Sequence, residues 1–330
     1  MLTVVVPRAE RPRITRFHFG LIGAITVAVG RRIEDLETRD RLESRMAPFA
    51  LVTLAFVWAV HIIVGFALLF WSLGIRSFVD ALVLSGSSLT TLGIRDAETT
   101  TTLLLVIAEA LIGLGLVGLM IGYLPTIYNA YTDREIAVAR LEVRAGRPPH
   151  PLTFLERSYN IGWLNQMDPV WAEWENWFLQ IEETHTTHIS LSLFRSAHYG
   201  RSWLMTGGAV LDSAALIVST VDIETSPRAV LCIRSGFTTL RSLADVFEVD
   251  YPPHPAPDDP ISIDRATFDA LCLELAAAGI PLRSDLDQAW IDFAGWRVNY
   301  DAALIGLIKT LRVERAEWFV DGRMVGSSDV

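Results

Sequence analysis

The residues best able to do chemistry lie in one short loop, Ser85-Gly-Ser-Ser-Leu-Thr-Thr-Leu-Gly-Ile-Arg-Asp96, which is rich in hydroxyls and glycine. It interrupts sequence that is otherwise apolar. Met46 to Ile75 contains no Asp, Glu, Lys or Arg, and Thr99 to Thr132 contains only Glu109. About 20 apolar residues suffice to cross a bilayer as a helix. A polar loop between two such runs reads as one that dips back into the membrane and lines an aqueous path. Irregular backbone is tolerated at that depth only where protein or water satisfies it. Glu109 belongs to the same region, because an acid inside a span is costly and usually paired. In one arrangement Arg95 pairs with Glu109 or with an outer acid (Asp80, Asp96 or Glu98). In the other, Glu109 stays neutral and hydrogen-bonds the helix ahead of the loop, at Ser87 or Ser88.

A second set, Glu182, His185 and His188, falls at i, i+3 and i+6 of an expected helix. Glu-x-x-His is a ligand spacing in carboxylate-bridged metal bundles, but such sites need a second copy from another helix, and the sequence has none. These residues therefore read as a polar face, with no metal and no cofactor expected. Trp171, Trp174 and Trp177 form a stripe at helical spacing that reads as core or subunit contact. No nucleophile–base–acid set stands out, and no GxGxxG follows a strand and opens a helix. The chain reads as a non-enzyme. A membrane-anchored enzyme with its site in 153–330 is the third alternative.

The elements that must position the loop follow from charge and hydropathy. Across 330 residues the mean hydropathy is positive, enough for a membrane part and a soluble domain. Residues 1–132 carry 11 Arg against 10 acids, whereas 133–330 carry 17 basic and 28 acidic residues. An acidic soluble half excludes the basic footprint that nucleic-acid binding requires. Cys232 and Cys272 stand far apart in apolar surroundings and read as reduced core thiols, consistent with a cytoplasmic location.

The expected organisation has three parts. Residues 1–45 form an N-terminal segment whose apolar run, Phe17–Gly30, is short for a span. It fits a short tilted span, an interfacial helix or a signal-peptide core. Residues 46–145 hold a span from about Pro48 to Leu73, a short helix Phe78–Leu89 with Asp80 in its first turn, the loop, and a last span. That last span has a bending point at Gly115 and a kink at Pro125 as candidate gating positions. Arg39, Arg41 and Arg45 before the first span, and Arg134, Arg140, Arg144 and Arg147 after the last, put both flanks in the cytoplasm and the loop outside. Residues 146–330 read as a helical cytoplasmic domain. It has a capping box at Thr153/Glu156, a helix opened by Asp168-Pro169, a buried core helix over 203–219 and a Pro-rich loop at 250–264. Helices over 265–278 and 285–311 close the domain.

Thr91-Leu-Gly-Ile-Arg-Asp96 resembles the selectivity filter of potassium channels, whose usual pattern is Thr-x-Gly-Tyr/Phe-Gly-Asp. The preceding Ala81-Leu-Val-Leu-Ser-Gly and the downstream Glu109-Ala-Leu-Ile-Gly-Leu-Gly extend the resemblance. The chain is similar to bacterial members of that family that join a two-span pore module to a helical cytoplasmic domain. The likeness covers about residues 17–145. It implies an all-α, multi-pass plasma-membrane protein built as span, pore helix, filter loop and span. It also implies a homotetramer, because four chains each supply one strand of carbonyls in place of an ion's water shell. Thr91, Leu92, Gly93, Ile94, Arg95 and Asp96 would form the filter, with Ser87 and Glu109 in support. Monovalent cations such as potassium or sodium would permeate passively.

Two positions depart from the pattern. Ile94 lacks the phenol that ties the filter to its surroundings, and Arg95 stands where the second glycine belongs. A left-handed backbone at Arg95 would cost about 1–2 kcal/mol. A guanidinium pointing inward at about 7 Å would repel an ion by roughly 2–3 kcal/mol, and four by on the order of 10. The expectation is therefore a cation pore with weak or no potassium selectivity and Arg95 turned off the axis. The alternative is a non-conducting scaffold or sensor whose axis Arg95 closes.

Overall fold

The computed structural model describes residues 13–313, apart from Ala197, Tyr199 and Thr225. Arg8 and Arg11 of the basic N-terminal segment lie outside the described residues. The chain is all-helical, with 74% of it in helix and no strand among the described residues. It divides between Asn129 and Ala130 into two compact units.

The first unit opens with helix α1 (Arg13–Gly30), packed on α2 (Leu36–Ser72). His18 Nε2 sits 3.0 Å from the Ala50 carbonyl and 3.1 Å from Thr53 Oγ1, a polar tie in an apolar contact. Asp35 caps α2 by accepting the Thr38 N–H at 2.9 Å. The charged stretch and the first span, which read as separate elements, form one helix of 37 residues running through Pro48. The helix therefore also passes without a break through residue 45, the expected domain edge.

Helix α3 (Phe78–Leu89) follows with the boundaries its sequence predicts. The long helix α4 (Thr100–Ala145) then begins. Among the described residues two helices are long and apolar enough to cross a membrane, Arg41–Ser72 and Thr100–Ala145. Many of their large side chains point outward; Phe56 is 66% and Ile121 70% exposed. Outward apolar side chains of this kind agree with helices that cross a membrane.

The second unit takes in residues 130–145 of α4, because that segment turns one face into its core. Arg134, Val138, Leu141 and Ala145, spaced at helical intervals, are all buried. Arg134 donates to the Leu191 carbonyl at 3.1 Å, the Phe194 carbonyl at 2.7 Å, and His185 Nε2 at 3.2 Å. It also pairs with Glu135. A rigid guanidinium fork can serve five acceptors at once, which suits it to this position. The division therefore falls before the polar end of α4 and not at the proline linker after it.

Helix α5 (Pro151–Asn160) starts at a cap provided by His150, not by the expected Thr153 box. A 3₁₀ turn (Leu164–Gln166) leads to α6 (Asp168–Thr187), whose Trp171, Trp174 and Trp177 are buried in the core. Helix α6 stops at Thr187 and gives way to a 3₁₀ turn (Ile189–Leu193). Helix α7 (Trp203–Ser219) is central, with all 17 of its residues buried. Helix α8 (Pro227–Val246) packs on both α6 and α7. Helix α9 (Arg265–Ala277) ends before Gly279, whose φ of 85° only glycine adopts cheaply. The expected single helix over 285–311 is two, α10 (Leu286–Arg297) and α11 (Asp301–Thr310). Cys232 and Cys272 are buried free thiols.

The break between α10 and α11 serves a buried charge. Arg297 hydrogen-bonds Asp212 of α7 and, at 3.0 Å, Asp301 of α11, and Tyr300 donates to Asp212 at 2.7 Å. Ser262 closes the set, its Oγ 2.6 Å from Asp301 Oδ1. Burial opposes the Arg297 charge, but Asp212 and Asp301 outweigh it and hold the guanidinium more firmly protonated than usual.

His150 gives this unit a pH dependence. Its Nδ1 accepts the Leu152 N–H at 3.2 Å, which requires a neutral ring. Burial pushes the imidazole down to about 4, against the pull of Asp212. The unfolded chain takes up this proton near 6.5. The stabilisation is therefore whole above that value and is lost as the pH falls toward 4, by about 3 kcal/mol. His150→Asn keeps a capping oxygen with nothing to titrate. Denaturant titration of the full chain between about pH 7 and about pH 4 should show the acid loss shrink in this variant.

Candidate functional site

The loop 90–96 is positioned by α3. Ser77 caps that helix, accepting the Asp80 N–H at 3.1 Å and donating to Asp80 Oδ2 at 2.7 Å. Asp80 thereby sits in the first turn, where the helix dipole favours a negative charge. Ala81 and Leu84 on the buried face pack with Ala67 and Phe70 of α2, and Leu105 and Val106 of α4 join them. Thr90 ends the helix, its N–H on the Gly86 carbonyl at 3.2 Å.

There the chain reverses and runs back beside the helix it has just left. Leu92 N–H donates to the Ser87 carbonyl at 2.9 Å and Ile94 N–H to Ser87 Oγ at 2.7 Å. Arg95 Nη2 then reaches Asp80 Oδ1 at 2.5 Å, at the opposite end of α3. The reversal uses left-handed backbone at Thr91 (φ 57°) and Gly93 (φ 65°). Arg95 is spared the left-handed conformation its glycine-like position implied, and Thr91 bears that cost, about 1–2 kcal/mol. Ser87 thus ties Ile94 by its backbone. Leu92 and Ile94 are 66% and 69% exposed, so the outer rim of the loop has no cover within one chain.

Of the alternatives for the two charges, the structure brings Arg95 to Asp80, and Glu109 to α3. Glu109 has no solvent exposure and meets the hydroxyl of Ser85, two and three residues before the expected Ser87 and Ser88. Ser87 serves the loop and not the acid. One turn along α4, Gly113 lies against the end of α3. A Cβ there would stand 2.0 Å from the Leu89 carbonyl oxygen, so only glycine fits. Gly113 was not singled out in the sequence, although its offset from Leu89 equals that of Glu109 from Ser85. Gly115 meets nothing within 4 Å, and α4 is helical through both Gly115 and Pro125.

No protein-family model, curated protein or solved structure matches this chain. The assignment of a function therefore rests on this geometry alone.

The residues of the second set are not brought together as ligands. Glu182 Oε1 accepts the Ser242 hydroxyl at 2.7 Å. His185 is fully buried between Arg134 and Thr184, its imidazole held well below its usual range by burial and then by the Arg134 charge. His188 ends α6. No group of three or more His, Cys, Asp or Glu able to hold a metal occurs among the described residues.

Proposed function

We propose that the chain forms a homotetrameric pore in the plasma membrane through which monovalent cations pass passively, with weak or no selectivity for potassium. The observation that carries this reading is the Arg95–Asp80 pair at 2.5 Å. It neutralises the one basic residue of the loop and draws it back along α3. With that pairing the electrostatic objection to a cation path loses its force.

Three features support the rest of the reading. A hairpin of short helix and returning loop between two apolar helices is the form that irregular backbone takes at membrane depth. The exposed Leu92 and Ile94 and the outward apolar faces of α2 and α4 fit burial against lipid and sister chains. Left-handed backbone at Thr91 and Gly93 takes the loop out of helix geometry, which supports the reading that its carbonyls face an ion. One chain has one such loop, hence the tetramer. The basic flanks at Arg39–Arg45 and Arg134–Arg147 support a cytoplasmic second unit.

The assembly is tested by the density of the detergent-purified full-length protein. The expected result is a fourfold axis lined by residues 91–93 with the Arg95 guanidinium against Asp80. A guanidinium on the axis, or no fourfold axis, overturns the proposal.

A further inference from the structure

The geometry points to Glu109 as a neutral acid that donates its proton to Ser85, while Ser85 donates in turn to the Ile63 carbonyl. The relay ties α2, α3 and α4 together behind the loop. The inference rests on the reading of 85–96 as a pore loop only for its purpose, since the relay positions the helix that carries the loop.

The number of protons available fixes the direction of both contacts. Ser85 Oγ lies 2.9 Å from the Ile63 carbonyl oxygen and in hydrogen-bond contact with Glu109 Oε1. A serine hydroxyl has one proton, a carbonyl has none to give, and an ionised carboxylate only accepts. Both contacts are hydrogen bonds only if Glu109 supplies the second proton. The surroundings agree. Glu109 and Ser85 are both 0% exposed. Glu109 pairs with no cation among the described residues, and its Oε2 has no hydrogen-bond partner. A buried carboxylate with one hydrogen bond and no countercharge is far more costly than a neutral acid with one idle carbonyl oxygen. Arg95, the basic residue of the loop, is occupied by Asp80.

The relay also has a fixed register. Ser85 and Leu89 are one turn apart on α3, and Glu109 and Gly113 one turn apart on α4. The two contacts, hydroxyl to acid and carbonyl oxygen to glycine, therefore fall on one face of each helix, with the helices running in parallel. Gly113 sets how closely they approach and the Glu109 proton sets which way Ser85 turns. Glu109 is on this account a positioning residue.

The test is an infrared difference spectrum of the full-length protein reconstituted in lipid, wild type against Glu109→Gln, near neutral pH. The expected result is a carbonyl-stretch band of a protonated carboxylic acid in wild type that Glu109→Gln abolishes. Ser85→Ala should keep the band but move it to higher wavenumber, because the acid loses its acceptor. A carboxylate band lost in its place, or a Ser85→Ala spectrum with the acid band unmoved, would overturn the relay. Because Gln retains an N–H to donate, Glu109→Gln should melt close to wild type, while Glu109→Leu, with no donor, should melt lower. Equal melting of these two variants also counts against the relay. The band is read whether or not the protein conducts, so failure of the pore and failure of the relay are told apart.

Discussion

Asp80→Asn is expected to reduce cation flux through reconstituted protein at least about tenfold, with the oligomer intact. The substitution is nearly isosteric, and Asn can still bond the Ser77 cap. What it removes is the countercharge of Arg95, whose Nη2 is 2.5 Å from Asp80 Oδ1. Four unpaired guanidinium groups around one axis then act on the entering ion together. At an effective dielectric of about 20, each contributes a few kcal/mol at about 7 Å, and tenfold corresponds to only about 1.4 kcal/mol. Combining Asp80→Asn with Arg95→Gln should recover flux to within about threefold of wild type. If Asp80→Asn alone changes nothing, Arg95 is held by something other than Asp80 and the electrostatic account is wrong. The pair is partly exposed, so the defect should soften as salt is raised.

The second large effect is on stability. Asp212→Ala is expected to destabilise the second unit by about 3–5 kcal/mol, because it takes one of two carboxylates, Asp212 and Asp301, from a guanidinium held in the core. Arg297 and Asp212 both have fully buried side chains, and Tyr300 spends its hydroxyl on the same carboxylate. A domain stable by about 5–15 kcal/mol has little left after that loss. The full-length variant should show a lowered first unfolding transition and aggregate on mild heating. Tyr300→Phe, which removes one bond of the set, should cost only about 1–2 kcal/mol. Replacing Asp212 by Leu and Arg297 by Met together should recover much of the loss, since an apolar pair can substitute for a buried ionic one. Near-equal damage from Tyr300→Phe and Asp212→Ala would mean that the network acts through packing and not through charge.

What was legible in the sequence was what one dimension carries. Charge-free runs mark α2 and α4, and α3 keeps its expected limits, Phe78–Leu89, because Ser77 and Asp80 mark its start and Thr90 its end. The core helix α7 was readable from an apolar run too short to span, and its lone Asp212 is now explained by Arg297. What failed depended on helix phase and on distant partners. Ser85, Ser87 and Ser88 are chemically equal in the sequence. The two-residue step along α3 aims the first at Glu109 and the second at Ile94. Gly113 and Gly115 are likewise equal until the Leu89 carbonyl is placed. The break between α10 and α11 carries no proline or glycine signal of its own; Val298-Asn-Tyr300 leaves the helix so that Tyr300 and Arg297 both reach Asp212. Helix α8 was not singled out, and its Pro227 start is capped by Ser226, a signal that could have placed it.

The central claim is that this loop passes cations with its arginine held aside. Flux of potassium, sodium and chloride into liposomes carrying the purified full-length protein tests it most directly. The account predicts that potassium and sodium enter at comparable rates while chloride does not. A substantial chloride flux, or no flux of any of the three through an intact oligomer, would contradict it.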